Sequence, residues 1–94
     1  MQINYKVKQG LIRACQLLYQ QGFLTGMDGN LSVRLENDTI LTTPTGRNKG
    51  WIGPDDLVLC DMNGNSFEMD KRPSTEIKMH IKVYEKRSDV KAVV

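Results

Sequence analysis

Three short segments of the chain combine glycine, hydroxyl and amide residues in a way that suits the binding of a phosphate or another anion. Glycine and asparagine tolerate unusual backbone angles, so successive N–H groups can point at one anion. Serine and threonine add hydroxyl donors, and the first turn of a helix adds free N–H groups and a favourable dipole. The segments are Gly26 to Ser32, Thr43 to Gly46, and Pro73 to Glu76.

Each segment also has an ordinary structural explanation. The pair Gly29-Asn30 is typical of a turn, Thr45-Gly46 of a loop after a strand, and Ser74-Thr75 of a helix cap. Nothing in the spacing shows whether the three segments meet in space. They define a candidate anion site that depends on the fold to assemble it.

Glu76 and His80 lie four residues apart, which places them on one face of a predicted helix. That spacing suits two ligands of one metal ion, or a carboxylate beside an imidazole. It equally suits a glutamate that caps the helix and a histidine packed against a partner. His80 is the only histidine in the sequence, so a metal site cannot be completed within this chain.

The elements that would carry these segments follow from hydrophobic periodicity and turn residues. Apolar residues at three- and four-residue steps predict two helices, Asn4 to Gln21, ended by Gly22, and Thr75 to Lys86. Alternating and β-branched residues predict strands at Leu31 to Leu35, Thr39 to Thr43, Leu57 to Asp61 and Val90 to Val94, with a polar loop at Arg47 to Gly50. This order predicts a layered α/β or α+β domain with helices covering a sheet.

Length, charge and composition exclude several classes of protein. The 94 residues suffice for one small domain, and a net charge of +2 is too small to predict a nucleic-acid partner. The helical row Lys78, Lys82 and Lys86 is typical of a solvated face. No run is long enough to cross a membrane and no signal peptide is recognisable, so we expect a cytoplasmic protein without a membrane partner. Cys15 and Cys60 are expected to be reduced core thiols.

Taken in order, the segments resemble the class II aldolase/adducin family, and the resemblance covers nearly the whole chain. It rests on Gly29 to Arg34, Thr42 to Gly46, Asp55 to Val58, Pro73 to Glu76, and Val83 to Val94. The resemblance implies a three-layer αβα class II aldolase-like fold. Residues 1–94 would be its N-terminal part, with helices covering a mainly antiparallel sheet.

The resemblance also implies a chemistry. In such enzymes the substrate phosphate lies among the three segments, and the glutamate after the Ser-Thr pair is the acid/base. Carried over, Glu76 is the catalytic residue and a possible zinc ligand in the free enzyme. The zinc would polarise a ketose carbonyl and stabilise the enediolate. The implied phosphate-binding residues are Gly29, Asn30, Thr45, Gly46, Ser74 and Thr75.

The family's remaining zinc ligands would lie beyond this chain. Its His-x-His pair follows the strand that ends here at Val94, and a third histidine comes later. We therefore expect a partial domain, truncated before the zinc pair and inactive alone. The apolar end Ala92-Val93-Val94, without a polar tail, supports that expectation. The parent is expected to be a homo-tetramer that takes a small sugar phosphate.

Several functions remain possible, some of them catalytic and some non-catalytic. The first choice is an aldolase that cleaves L-fuculose 1-phosphate or a similar ketose phosphate, since Glu76 in the acid/base position favours it over a 4-epimerase. A methylthioribulose-1-phosphate dehydratase would share the phosphate segments and the zinc. A non-catalytic adducin-like interaction domain would share only the fold. A stand-alone phosphate-binding module would leave an unfinished strand edge exposed.

Overall fold

The computed structural model describes residues 5–22, 29–46 and 51–94. The helices are α1 (Tyr5–Gln20) and α2 (Ile77–Lys86), and the strands are β1 (Ser32–Leu35), β2 (Thr39–Thr42), β3 (Val58–Cys60) and β4 (Ala92–Val93). The predicted order is confirmed. Most predicted boundaries reach one or two residues too far, because the last residues of an element leave its hydrogen-bond ladder to enter the loops. The predicted loop at 47–50 and residues 26–28 of the first anion segment lie outside the described residues.

The four strands form one antiparallel sheet in the order β3-β2-β1-β4. The hairpin of β1 and β2 pairs Ser32 with Thr42 and Leu35 with Thr39, as its alternating sequence predicts. Its turn places Asn37 and Asp38 at φ of 65° and 54°. Asparagine and aspartate are the side chains that tolerate this left-handed region best, so the turn residues suit the hairpin.

The two helices cover opposite faces of the sheet. Ile40 and Leu41 are neighbours in β2, so their side chains point to opposite faces. Leu41 packs beneath α1, in a buried cluster with Leu11, Ile12, Cys15, Leu31, Ile52 and Leu57. Ile40 packs beneath α2, in a cluster with Cys60, Ile77, Ile81 and Tyr84. The domain is therefore a three-layer αβα arrangement, as expected.

The same alternation divides β1 between the two layers. Val33 and Leu35 pack toward the cluster beneath α1. The even-numbered residues Ser32 and Arg34 point the other way, toward α2. This face of β1 is polar although it is largely covered, and it positions the candidate site.

Other predictions concern the ends of α1 and the two cysteines. Helix α1 ends at Gln20, and the turn that follows contains Gly22, whose φ of +82° is readily adopted by glycine. Cys15 and Cys60 are buried thiols that are not joined in a disulfide, as expected. Cys60 is a core residue, and its burial, followed by the neighbouring charge of Asp61, raises the pKa of its thiol to about 11.

Neither of the described helices is long and apolar enough to cross a membrane.

Candidate active site

The second and third anion segments lie side by side beyond the end of β2. The backbone N–H of Ser74 donates to the carbonyl of Thr43 at 3.2 Å. The N–H of Thr45 donates to the carbonyl of Arg72 at 3.1 Å. These bonds continue the sheet by a short antiparallel stretch, so the loop after β2 and the approach to α2 are held together.

Asn30 brings the first segment to the other two. The Ser74 hydroxyl donates to the carbonyl oxygen of the Asn30 side chain. The amide nitrogen of the same side chain donates to Oε2 of Glu76 at 2.6 Å. The N–H of Thr43 donates to the carbonyl of Leu31 at 3.1 Å, which fixes the backbone next to Asn30. The three segments that the sequence left separate thus converge.

Two glycines at this junction have left-handed backbone angles, which the sequence analysis anticipated for the turn at Gly29. Gly29 has φ of +86° and Gly46 has φ of +69°, a region that side chains rarely adopt. Ser74 is buried, whereas Thr45 and Thr75 are exposed. Of the six predicted phosphate-binding residues, Ser74 is therefore buried and Gly29 and Asn30 are partly buried. The other three, Thr45, Gly46 and Thr75, are exposed.

Glu76 stands at the N-cap of α2, but its side chain makes no capping hydrogen bond. The prediction that this carboxylate caps the helix is therefore wrong, because Asn30 holds it instead. Ser74 does the work of a cap: its hydroxyl accepts from the N–H of Glu76 at 3.3 Å, and its carbonyl from the N–H of Ile77 at 3.1 Å. The N–H groups of Glu76 and Ile77 are thus already hydrogen-bonded to Ser74. Fewer free N–H groups therefore remain at the start of α2 to bind an anion.

His80 is a packed histidine with a hydrogen-bonded partner, one of the two interpretations of its position. It is 4% exposed, and its Nδ1 lies 2.6 Å from the hydroxyl of Ser32. That hydroxyl also lies 2.7 Å from the phenol oxygen of Tyr84. Burial lowers the pKa of His80 below its ordinary value of 6.5, and the charge of Glu76 partly opposes the shift.

Arg34 completes this polar face of β1. Its guanidinium lies 4.8 Å from the centroid of the Tyr84 ring and donates to the backbone carbonyls of Tyr84 and Ser88. Sequence reasoning did not single out Arg34 or Tyr84 as site residues, and it named Ser32 only as the last residue of the first anion segment. The available signal was polar residues at two-residue steps in a strand and at four-residue steps in a helix.

The described residues do not fit a zinc ion by themselves. Within ranges 5–22, 29–46 and 51–94, no three His, Cys, Asp or Glu side chains cluster closely enough to hold a metal. The Glu76 carboxylate could serve as one metal ligand, whereas Nδ1 of His80 faces the hydroxyl of Ser32. Any metal at this site would need ligands from outside the described residues.

A cavity of about 400 Å³ opens beside the Thr45 loop. It is lined by Pro44, Thr45, Asp55, Asp56, Asp70, Lys71 and Arg72. Three carboxylates outnumber two cations there, so the cavity does not favour a phosphate. The candidate anion site is the junction around Asn30 rather than this cavity.

Comparison with known proteins assigns the family. The profile of the Class II Aldolase and Adducin N-terminal domain matches residues 9–94, which is most of the chain. The chain belongs to the class II aldolase and adducin family. A solved structure of L-fuculose 1-phosphate aldolase superposes with a TM-score of 0.86 at 36% identity, over 96% of this chain and 43% of that one. The expected class II aldolase fold is confirmed.

Curated relatives of this chain are named for different reactions. L-fuculose phosphate aldolase of Methanococcus maripaludis is 36% identical over 88% of this chain and 44% of its own length. Methylthioribulose-1-phosphate dehydratase of Pseudomonas syringae pv. tomato is 39% identical over 95% and 44%. 3-oxo-tetronate 4-phosphate decarboxylase of Haemophilus influenzae is 38% identical over 93% and 41%. The chain thus spans less than half the length of each relative, over a region that a class II aldolase shares with other lyases.

Proposed function

We propose that this chain carries the phosphate-binding segments and the acid/base carboxylate of a lyase that acts on a small phosphorylated sugar. The observation that carries the proposal is the position of Asn30, whose side chain contacts both Ser74 and Glu76. A phosphate bound at the hydroxyl and glycine positions would therefore lie next to the carboxylate.

The phosphate end of the substrate would be held by neutral donors. Gly29 and Gly46 have left-handed backbone angles, which allow N–H groups to converge on an anion. Thr45 and Thr75 are exposed beside them and offer hydroxyl groups. Ser74 is buried and donates its one hydroxyl hydrogen to Asn30, so we assign it to holding Asn30 in the site.

Glu76 would act as the acid that donates a proton to carbon in the reaction. In a retro-aldol cleavage one carbon–carbon bond breaks, the departing carbon becomes an aldehyde as its hydroxyl releases a proton to solvent, and the other carbon takes up a proton from an acid. We assign the protonation of that second carbon to the Glu76 carboxyl group. Its side chain is exposed and held by one amide hydrogen bond, so it can reach a bound substrate.

An aldolase that cleaves L-fuculose 1-phosphate or a similar ketose phosphate is our first choice of reaction. It agrees with the 36% identical aldolase of M. maripaludis. A dehydratase is the second candidate, favoured by the 39% identical relative of P. syringae. There the Glu76 carboxylate would take a C–H proton and return it to the neighbouring hydroxyl, which leaves as water as the carbon–carbon double bond forms.

The intact protein would need more than this chain supplies. We propose that it uses a divalent metal, zinc in our expectation, held mainly by ligands outside these residues, and that it forms a homo-oligomer. When bound, such an ion supplies Lewis-acid stabilisation of an oxyanion. The chemistry that we assign to the chain itself is phosphate binding and proton transfer.

Titration of the intact gene product with inorganic phosphate tests the binding half of the proposal. We expect Ser74→Ala to weaken the calorimetric affinity by about tenfold, since the hydrogen bond that supports Asn30 is lost. Ser66→Ala is the matched control, because the Ser66 hydroxyl bonds to Glu68 within the turn after β3. Equal affinities in all three proteins would refute the assignment.

Product analysis on a panel of phosphorylated ketoses tests the catalytic half. We expect carbon–carbon cleavage by the intact gene product, and a loss of at least about 100-fold in kcat for Glu76→Gln with phosphate affinity retained. Dehydration products would select the second candidate. An intact protein that neither binds phosphate nor turns over any substrate would be an adducin-like interaction domain.

A further inference from the structure

Strand β1 and helix α2 are joined by a row of polar contacts, which we call the β1–α2 ladder. Its members in β1 and the preceding loop are two residues apart, and its members in α2 are four residues apart. The contacts are Asn30 to Glu76, Ser32 to His80 and Tyr84, and Arg34 to Tyr84. The proposed acid/base residue is thus one end of a longer structure.

The spacing of the ladder matches the dimensions of the two elements. Two residues of a strand advance about 6.6 Å. Four residues of a helix advance about 6.0 Å. Successive contacts therefore stay aligned when the helix follows the strand. Sliding α2 by one residue would separate every pair at once, so the ladder specifies a single register.

The middle of the ladder is buried, and its hydrogen atoms can be assigned. The backbone N–H of Val93 bonds to the phenol oxygen of Tyr84. We therefore assign the phenol as the donor to Ser32 and the Ser32 hydroxyl as the donor to Nδ1 of His80, across the contacts of 2.7 Å and 2.6 Å. This direction gives each hydroxyl hydrogen an acceptor and requires a neutral His80 with its proton on Nε2. The reverse direction would leave the Tyr84 hydrogen without an acceptor among the described residues.

The end of the ladder at Glu76 is different, because it is exposed. The side chain of Glu76 makes no capping hydrogen bond on α2, and its carboxylate accepts a hydrogen bond from the amide of Asn30. Ser32, His80 and Tyr84 are 1%, 4% and 1% exposed, so no substrate reaches them. Their contacts fix where the first turn of α2 stands relative to Asn30.

We propose that Ser32, His80 and Tyr84 are positioning residues, which hold Glu76 in contact with Asn30 by setting the register of α2 against β1. The inference rests on the proposed function for its catalytic meaning, since it makes Glu76 the residue to be placed. The contact between Asn30 and Glu76 can be observed without substrate. The positioning is therefore open to test even if the proposed lyase activity fails.

The test uses the intact gene product labelled with ¹⁵N-asparagine. The side-chain NH₂ signal of Asn30 reports its bond to the Glu76 carboxylate, and Glu76→Gln defines the signal without that bond. We expect Ser32→Ala and His80→Leu to move the Asn30 signal most of the way toward the Glu76→Gln position. His80→Asn keeps an acceptor near the place of Nδ1, and we expect it to restore the wild-type signal.

Ile81→Val is the matched control for general destabilisation. Ile81 lies between His80 and Tyr84 in the sequence and is also buried. Its side chain packs in the apolar cluster beneath α2 and takes no part in the ladder. An Asn30 signal that moves as far in Ile81→Val as in Ser32→Ala would overturn the proposal. So would a wild-type signal in His80→Leu.

Inorganic phosphate provides a second readout that separates the two proposals. We expect its affinity to fall about fivefold in His80→Leu and to recover in His80→Asn. If the wild-type protein binds no phosphate, the proposed function fails while the Asn30 signal still decides the positioning. If phosphate binds equally in wild type and His80→Leu and the Asn30 signal is unchanged, the positioning role fails alone.

Discussion

The side-chain amide of Asn30 donates a 2.6 Å hydrogen bond to the carboxylate of Glu76, across 46 residues of sequence. Its other polar atom accepts from the hydroxyl of Ser74. One asparagine thus connects the turn before β1 to the residues that begin α2. The arrangement makes the placement of the carboxylate and the shape of the anion site a single structural feature.

Asn30→Ala should therefore disturb both binding and turnover. A hydrogen bond to a charged group contributes about 1.5–3 kcal/mol, so its loss should weaken phosphate affinity or kcat/KM by at least about tenfold. Calorimetry with inorganic phosphate and steady-state kinetics on the intact gene product measure the two effects. Asn63→Ala, at an exposed position in the turn after β3, is the control and should leave both unchanged. An Asn30→Ala protein with wild-type constants would contradict the site.

Gly46→Ala should separate backbone strain from site chemistry. Gly46 and Gly22 have φ of +69° and +82°, and a Cβ added at either meets open space. Each substitution should therefore destabilise the fold by a similar amount, about 1–2 kcal/mol for a left-handed backbone angle. Only Gly46→Ala should also weaken phosphate binding. Denaturant unfolding and phosphate titration of both variants make the comparison, and equal phosphate affinities would remove Gly46 from the site.

Stability should fall as the pH drops below about 6.5, the ordinary pKa of His80. Burial lowers the folded-state pKa, so the unfolded chain binds a proton first. The contribution is present above the unfolded value and is lost as the pH falls through the folded pKa. The nearby Glu76 charge favours the proton and reduces the effect. Unfolding free energies from pH 7.5 to 4.5 should decline less in His80→Asn, and parallel curves would contradict the assignment of a neutral His80.

Replacing Arg34 should loosen the C-terminal end of α2. Arg34→Met keeps the apolar stem but removes the bonds to the Tyr84 and Ser88 carbonyls and the contact with the Tyr84 ring. We expect a loss of about 1–3 kcal/mol in the free energy of unfolding, because these groups are partly buried. Arg34→Lys should recover only part of it, since an ammonium lacks the planar fork. Arg87→Ala, in an exposed ion pair with Asp89, should be close to neutral.

Much of the fold could be predicted from local sequence pattern. The three- and four-residue steps of α1, ended by Gly22, and the alternation of β1 are visible in a single chain. The turn residues around Asn37 mark the hairpin, because few other residue types tolerate its backbone angles. These features depend on the chemistry of neighbours along the chain, and the structure confirms them. The residue types that could bind a phosphate could be recognised in the sequence for the same reason.

The assembly of the site was not readable in that way. Asn30, Ser74 and Glu76 meet because β1, the loop after β2 and the start of α2 are brought together by pairing between distant segments. Spacing left a helix cap as one of two interpretations of Glu76, whereas in the structure its carboxylate accepts a hydrogen bond from the distant Asn30. Burial likewise decided that His80 faces Ser32, since a covered imidazole must find a partner within the protein. The sequence thus determined which groups were available, and tertiary packing determined which of them touch.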